Sequence, residues 1–132
     1  MLHISSHSFT PELNGEVRNA DIGLLYDPRR IGERRFCELW KVAFAAAAPA
    51  LRVRRNYPYA GKNDGFTALL RKRHGPNDYV GIELEINQMH VAAAGAEWRA
   101  LRATVIAALR SAFAAWAAPA RSAGAALNEA PT

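Results

Sequence analysis

The chain has 132 residues, and its 17 Lys and Arg against 12 Asp and Glu give a formal net charge of +5. Its single cysteine excludes an intramolecular disulfide framework, and 50% hydrophobic residues are enough for a core, which excludes a disordered chain. No run approaches the ~20 apolar residues of a membrane span, and the first residues lack the regions of a signal peptide. We therefore expect a cytoplasmic protein.

The N-terminal quarter predicts strands and a turn. Residues 2–8 alternate with the two-residue period of a strand, and His3, Ser5 and His7 share one face. Asn14-Gly15 is a turn dipeptide that leads into an irregular stretch through Asp21. Residues 22–26 fit either a short strand or a buried loop.

The remaining segments alternate between helix and strand patterns. The apolar spacing predicts a helix over residues 31–48 that Pro49 ends, then a strand over residues 51–55. Asp64 is a candidate N-cap for a short helix in which Phe66, Leu69 and Leu70 face inward. A third strand over residues 79–87 and a long helix over residues 98–116 follow.

Strands that alternate with helices predict a single α/β domain over residues 1–118. Its sheet should be mostly parallel with flanking helices and right-handed crossovers. Residues 119–132 are small, polar and without period, so they predict a disordered Ala- and Pro-rich tail.

The third strand places Glu83, Glu85 and Asn87 on one face. On a central strand covered on both faces, such carboxylates would cost several kcal/mol each without partners, so a metal, an arginine or a proton-transfer role is indicated. The alternative is an edge strand with a solvated face. Because ligands bind at the carboxyl ends of parallel strands, we expect the ends near His7, Asn56 and Glu85 to converge.

Other chemistries have little support in the sequence. Cys37 lies mid-helix beside the apolar stripe and indicates inert packing, and the serines lack a nucleophile elbow. A zinc site at His7 is incomplete, since catalytic zinc takes three protein ligands and His3 lies one pleat away. The arginines at positions 29–35 stand among acidic residues, which favours a solvated face. Nucleic-acid binding is kept as an alternative, and we expect neither a nucleic-acid nor a membrane partner.

Three blocks, taken in order, resemble the later half of the N-formylglutamate amidohydrolase family. They are His7-Ser8-Phe9-Thr10-Pro11 with Asn14-Gly15 and Asp21-Ile22-Gly23, then Asn56 to Gly61, then Gly81 to Asn87. The resemblance covers about residues 2–113. It implies a truncated zinc-carboxypeptidase-like (phosphorylase/hydrolase-like) fold and hydrolysis of an N-formyl or N-acyl amino acid at its amide bond.

The resemblance also implies roles for individual residues. His7 would be a zinc ligand, and Glu85 would be the general base that takes the proton of a metal-bound water and passes it to the leaving amine. Asn56, Tyr59 and Arg18 would hold the substrate carboxylates or the oxyanion, and the net basic character suits a small anionic substrate.

The chain departs from the family pattern at its start, because the preceding segment that supplies the first His and Glu zinc ligands is missing. We expect either a truncated or mis-started enzyme with a partial active site, or a non-catalytic remnant or binding module of the same fold. Uncovered apolar sheet surface would then favour self-association. An in-frame His and Glu encoded upstream of Met1 would indicate a wrong start.

Overall fold

The computed structural model describes residues 1–62, 65–93 and 95–118, so the candidate N-cap Asp64 and the predicted tail lie outside the described residues. The described part forms an α/β fold with a four-stranded sheet. The strands are β1 (Leu2–Phe9), β4 (Ile22–Leu25), β5 (Val53–Arg55) and β6 (Val80–Asn87), and a small hairpin adds β2 (Glu12–Leu13) and β3 (Glu16–Val17). The helices are α1 (Ile31–Ala47), α2 (Gly65–Arg73), α3 (Gln88–Ala93) and α4 (Gly95–Ala117).

The four-stranded sheet is mixed, with the order β1-β6-β4-β5. The outer pairs β1–β6 and β4–β5 are parallel, whereas the central pair β4–β6 is antiparallel. The expected layering of helices on a sheet is confirmed, but the mostly parallel arrangement that we expected applies only to these outer pairs. This matters for the site, because the carboxyl ends of β5 and β6 point in opposite directions.

The core lies between one face of the sheet and the helices α1 and α4. Helix α1 buries Phe36, Cys37, Trp40 and Phe44, the three- and four-residue spacing that predicted it. Across from them lie alternate residues of the central strands, including Leu24, Ile82 and Leu84, and from α4 Leu101 and Val105. Burial raises the pKa of the Cys37 thiol, consistent with the inert packing role expected of it.

Two local expectations are corrected. The turn at Asn14-Gly15 is present, with φ values of 53° and 80°, but the stretch through Asp21 that should be irregular begins with a strand, because the turn closes the β2–β3 hairpin. In α2, Phe66 and Leu69 are 61% and 43% exposed, so they do not face inward, and Thr67 is the buried residue. The spacing of Phe66, Leu69 and Leu70 predicts the wrong buried face of α2, because the sheet surface beneath this helix is polar: Thr67 donates a hydrogen bond to Glu83 of β6 at 2.9 Å.

Helix α4 is long and apolar enough, by length and composition, to cross a membrane, and 22% of that stretch is buried. Its buried residues face α1 in the core described above. A core helix satisfies the same criterion, so the length and composition of α4 do not decide where the protein resides.

Candidate functional site

The pairing of β1 with β6 brings His7 beside Glu85. These strands are parallel, and His7 is the direct register partner of Glu85, as Ser5 is of Glu83. Neighbouring strands lie about 4.8 Å apart, so the two side chains project from adjacent positions. Ile82, Leu84 and Ile86 face the core, which places the carboxylates on the opposite face. Strand β6 is central, so the edge-strand alternative is excluded.

Glu85 is a buried carboxylate with a spare acceptor atom. The residue is 5% exposed, and its Oε2 has no hydrogen-bond partner among the residues that the structure describes. Burial raises the pKa of Glu85 above its ordinary value; the positive charges of His7 and Arg18 oppose this rise and the charge of Glu83 adds to it. A carboxyl group with a raised pKa and a free lone pair is suited to accept and return a proton.

His7 stands at the open side of this pair. Its side chain is exposed, and its Nε2 lies 2.9 Å from the hydroxyl oxygen of Ser5, two positions earlier on the same strand. The contact holds the imidazole along β1, on the same face as Glu85. The predicted sharing of one face by the odd-numbered residues of β1 is therefore confirmed.

Arg18 reaches the site from the segment after the hairpin. Its Nη1 donates to the Tyr59 hydroxyl at 3.1 Å and to the Thr10 hydroxyl at 3.3 Å. The guanidinium carbon lies 5.1 Å from the ring centroid of Tyr59 and 6.0 Å from that of Phe9. Arg18 is thus a positive charge held by aromatic faces beside a buried carboxylate.

Asn56 does not join this group of side chains. Its Oδ1 accepts hydrogen bonds from the backbone N–H groups of Tyr26, at 3.0 Å, and Gly61, at 3.1 Å. Because β5 runs antiparallel to β6, Asn56 lies with the end of β4, and the expected convergence of all three strand ends is wrong. Asn56 instead closes the loop that follows β5.

That loop nevertheless returns to the site. Its Tyr57 carbonyl passes directly over Gly23, the residue paired with Glu85 on the other side, and a Cβ on Gly23 would clash with the carbonyl oxygen. The Tyr57 hydroxyl accepts a hydrogen bond from the Asn19 N–H at 2.8 Å. The loop therefore carries Tyr59 to Arg18 by crossing the sheet.

Sequence reasoning missed a second polar group near the end of β6. His90 Nε2 lies 2.9 Å from Asp21 Oδ1, and the backbone N–H of Arg52 donates to Asp21 Oδ2 at 2.7 Å. Burial alone would raise the pKa of Asp21, but these hydrogen bonds outweigh burial and lower it. No spacing rule could have found this pair, because Asp21 and His90 are 69 positions apart.

The described residues do not fit a complete zinc centre. Within residues 1–62, 65–93 and 95–118 there is no group of three or more His, Cys, Asp and Glu side chains placed to hold a metal ion. His7 offers one imidazole, whereas a catalytic zinc takes three protein ligands and leaves one position open.

Comparison with known proteins supports the fold. No family model matches the sequence, and no curated protein matches it. Among solved structures, the chain is similar to the gene product Atu2144 from Agrobacterium tumefaciens, with 30% sequence identity and a TM-score of 0.64. The match covers 85% of this chain and 42% of that chain, so the chain spans less than half the length of this neighbour. The name of the neighbour states no activity.

Proposed function

We propose that the His7–Glu85 pair is the acid–base part of an amide-hydrolysis site for small anionic N-acyl amino acids, as in the N-formylglutamate amidohydrolases that the sequence resembles. The observation that carries the proposal is a buried carboxylate, with one unpartnered oxygen, paired in register with a histidine and lying near an arginine. A structural carboxylate would be expected to have both oxygens engaged.

The chemistry assigned to Glu85 is proton transfer. Its ionised carboxylate accepts a proton from the water that attacks the acyl carbonyl carbon. The same proton then passes to the amine nitrogen as the C–N bond breaks, which leaves a carboxylic acid product such as formate and a free amine. The raised pKa of Glu85 suits both halves of this transfer.

Arg18 and Tyr59 are assigned to the substrate carboxylate. The present hydrogen bonds of Arg18 are long, 3.1 Å to 3.4 Å, and lie at an exposed position. A substrate carboxylate would replace them with shorter charge-assisted bonds. Asn56 enters this proposal only through the resemblance, since its Oδ1 holds the loop.

Zinc also enters only through the resemblance, and no step is derived through it, because the described ligand set is incomplete. That incompleteness favours a second candidate, a non-catalytic module of the same fold that binds the same class of anion through Arg18.

An assay of turnover distinguishes the hydrolase from the binding module. The chain, with and without added zinc, is incubated with N-formylglutamate, and formate and glutamate are quantified. For the hydrolase we expect Glu85→Gln to lower kcat by at least about 100-fold with KM little changed, and Arg18→Gln mainly to raise KM. Glu38→Gln, an exposed carboxylate on α1, is the matched control.

Binding without turnover, measured by amide chemical shifts and weakened by Arg18→Gln, identifies the binding module. Turnover that survives Glu85→Gln would contradict the role of Glu85. If neither turnover nor binding is observed, both candidates are contradicted.

A further inference from the structure

A cleft lies near the start of β6, away from His7 and Glu85. It has a volume of about 360 Å³ and opens between the segment that precedes α1 and the outer side of α2. We call it the basic cleft; the residues that line it are Asp27, Arg29, Arg30, Lys62, Ala68, Arg71 and Lys72. Five cationic side chains thus face one carboxylate.

Glu33, in the first turn of α1, lies beneath the cleft and compensates part of its positive charge. Glu33 is fully buried, with its carboxylate 2.9 Å from Arg71 Nη2 and 3.2 Å from Arg30 Nε. It also accepts hydrogen bonds from the backbone N–H groups of Asp27, at 2.9 Å, and Gly81, at 3.2 Å. The solvated face expected of this stretch is present at Arg29, Arg34 and Arg35, which are exposed. With Asp27 and Glu33 set against the five cations, three positive charges of the cleft lining remain without a carboxylate among the described residues.

Two of the guanidinium groups are fixed before any ligand arrives. Arg30 Nη2 donates to the carbonyls of His74, at 3.2 Å, and Tyr79, at 3.1 Å, and Arg71 Nη1 donates to the carbonyl of Gly61 at 2.7 Å. Their side chains are 12% and 6% exposed. A ligand that meets them therefore loses little free energy to the ordering of side chains.

Other local features favour an anion. The N-cap residue of α1, Arg30, makes no side-chain capping hydrogen bond, and the acidic residue of the first turn, Glu33, is buried against Arg30 and Arg71. Asp27, the carboxylate of the cleft, is already held by the backbone N–H of Arg29 at 3.0 Å and by its Nε at 3.4 Å.

We propose that the basic cleft binds the phosphate group of a small phosphate monoester. Such a group carries about −1.5 to −2 charges at neutral pH and three acceptor oxygens, which matches several converging cations better than a single carboxylate does. The cleft volume leaves room for a small organic group beside the phosphate. This inference is independent of the amidohydrolase proposal, because Glu85 lies toward the far end of β6.

The test uses inorganic phosphate and phenyl phosphate as probes, at constant ionic strength set with NaCl. Binding is followed by amide chemical shifts and by calorimetry. The variant is Lys62→Gln with Lys72→Gln, both exposed side chains of the cleft; the control is Arg99→Gln with Arg110→Gln, which removes the same charge from exposed positions of α4.

We expect shifts confined to residues 27–33, Lys62 and residues 65–73. The Kd for phenyl phosphate should be raised about tenfold by the lysine variant and changed by less than about twofold by the control. Equal weakening in both variants would show a net-charge effect and overturn the site, as would the absence of saturable binding. A single-stranded oligonucleotide provides a further arm. Its displacement by phenyl phosphate supports the same cleft, whereas binding that phenyl phosphate does not displace, together with no monoester binding, overturns the proposal.

Discussion

At the scale of single residues, the burial of the Glu85 carboxylate costs stability but gives this group a pKa suited to proton transfer. A carboxylate that is 5% exposed and has one oxygen without a partner in the described chain loses hydration that its neighbours only partly replace. Because the folded-state pKa of Glu85 is raised, the protonated form is favoured on folding. Its contribution to stability is therefore full at acidic pH and is lost as the pH rises through the folded-state pKa.

This pH dependence of stability gives a prediction for Glu85→Gln, which replaces the acid by a neutral amide of the same shape. We expect the variant to be more stable than the natural chain by about 1 kcal/mol at pH 7 and equal to it near pH 4. Urea denaturation at the two pH values measures the difference, and Glu38→Gln serves as the exposed control. A loss of stability at pH 7 would show that the carboxylate is structural rather than functional.

The pKa of Asp21 is shifted in the opposite direction from that of Glu85. The hydrogen bonds from His90 and Arg52 lower its pKa below the ordinary value despite burial, so ionised Asp21 stabilises the fold above its unfolded-state pKa, and this contribution is lost as the pH falls through the lowered value. Asp21→Asn should cost about 2 kcal/mol at pH 7. The difference between variant and natural chain should shrink in acid, as measured by thermal or urea unfolding. Exposed Asp78→Asn is the control, and an equal effect of both changes would refute the role of the Asp21 network.

At the scale of elements, one buried carboxylate connects α1, α2 and β6. Glu33 of α1 bonds Arg71 of α2 and the backbone N–H of Gly81 in β6. Removing one partner of such a network leaves buried charge without compensation. The position of α2 over the polar sheet face therefore depends on a contact between residues 38 positions apart.

We expect Glu33→Gln to destabilise the chain by about 3 kcal/mol or more, because Arg71 would keep its charge in a site with 6% exposure. Glu38→Gln, whose partner Arg55 is 43% exposed, should change the free energy of unfolding by less than about 0.5 kcal/mol. Denaturant midpoints compare the two. Similar midpoints would contradict the central place given to Glu33.

The loop after β5 depends on a glycine in the neighbouring strand. Since any Cβ on Gly23 would meet the Tyr57 carbonyl and approach the Glu85 side chain, Gly23→Ala should cost about 2 kcal/mol or more. It should also displace Tyr59 from Arg18, which amide shifts of residues 56–61 would report. Gly15→Ala, at the exposed hairpin turn, is a control for a glycine substitution in which no neighbour is met and the cost is backbone strain alone.

At the scale of the whole molecule, the donor set predicts how zinc affects stability. The described residues offer His7 but no three-ligand cluster, so binding should be weak and 100 µM zinc should raise Tm by less than about 3 °C. His7→Ala should remove that rise, and His74→Ala at the end of α2 should leave it. Tight binding of one zinc per chain that is unaffected by His7→Ala would place the ligands elsewhere.

The sequence by itself determined the longer strands and helices. Alternation specified β1 and β6, and the spacing of Phe36, Trp40 and Phe44 specified α1, because side-chain periodicity reports directly which residues share a face. It also placed His7 and Glu85 on polar faces of their strands. The sequence does not show whether neighbouring strands run parallel or antiparallel. For that reason Asn56 was expected at the site.

Only the tertiary structure decided which residues meet. Strand order and the antiparallel central pairing set Glu85 against both His7 and Gly23, while the side-chain oxygen of Asn56 is engaged by the backbone of Tyr26 and Gly61. The Asp21–His90 pair and the burial of Glu33 likewise depend on contacts between residues distant in sequence. The periodicity of a sequence shows which face of a strand or helix a residue occupies. Which residues form ion pairs and hydrogen bonds depends on packing between distant parts of the chain, and a local pattern does not contain that information.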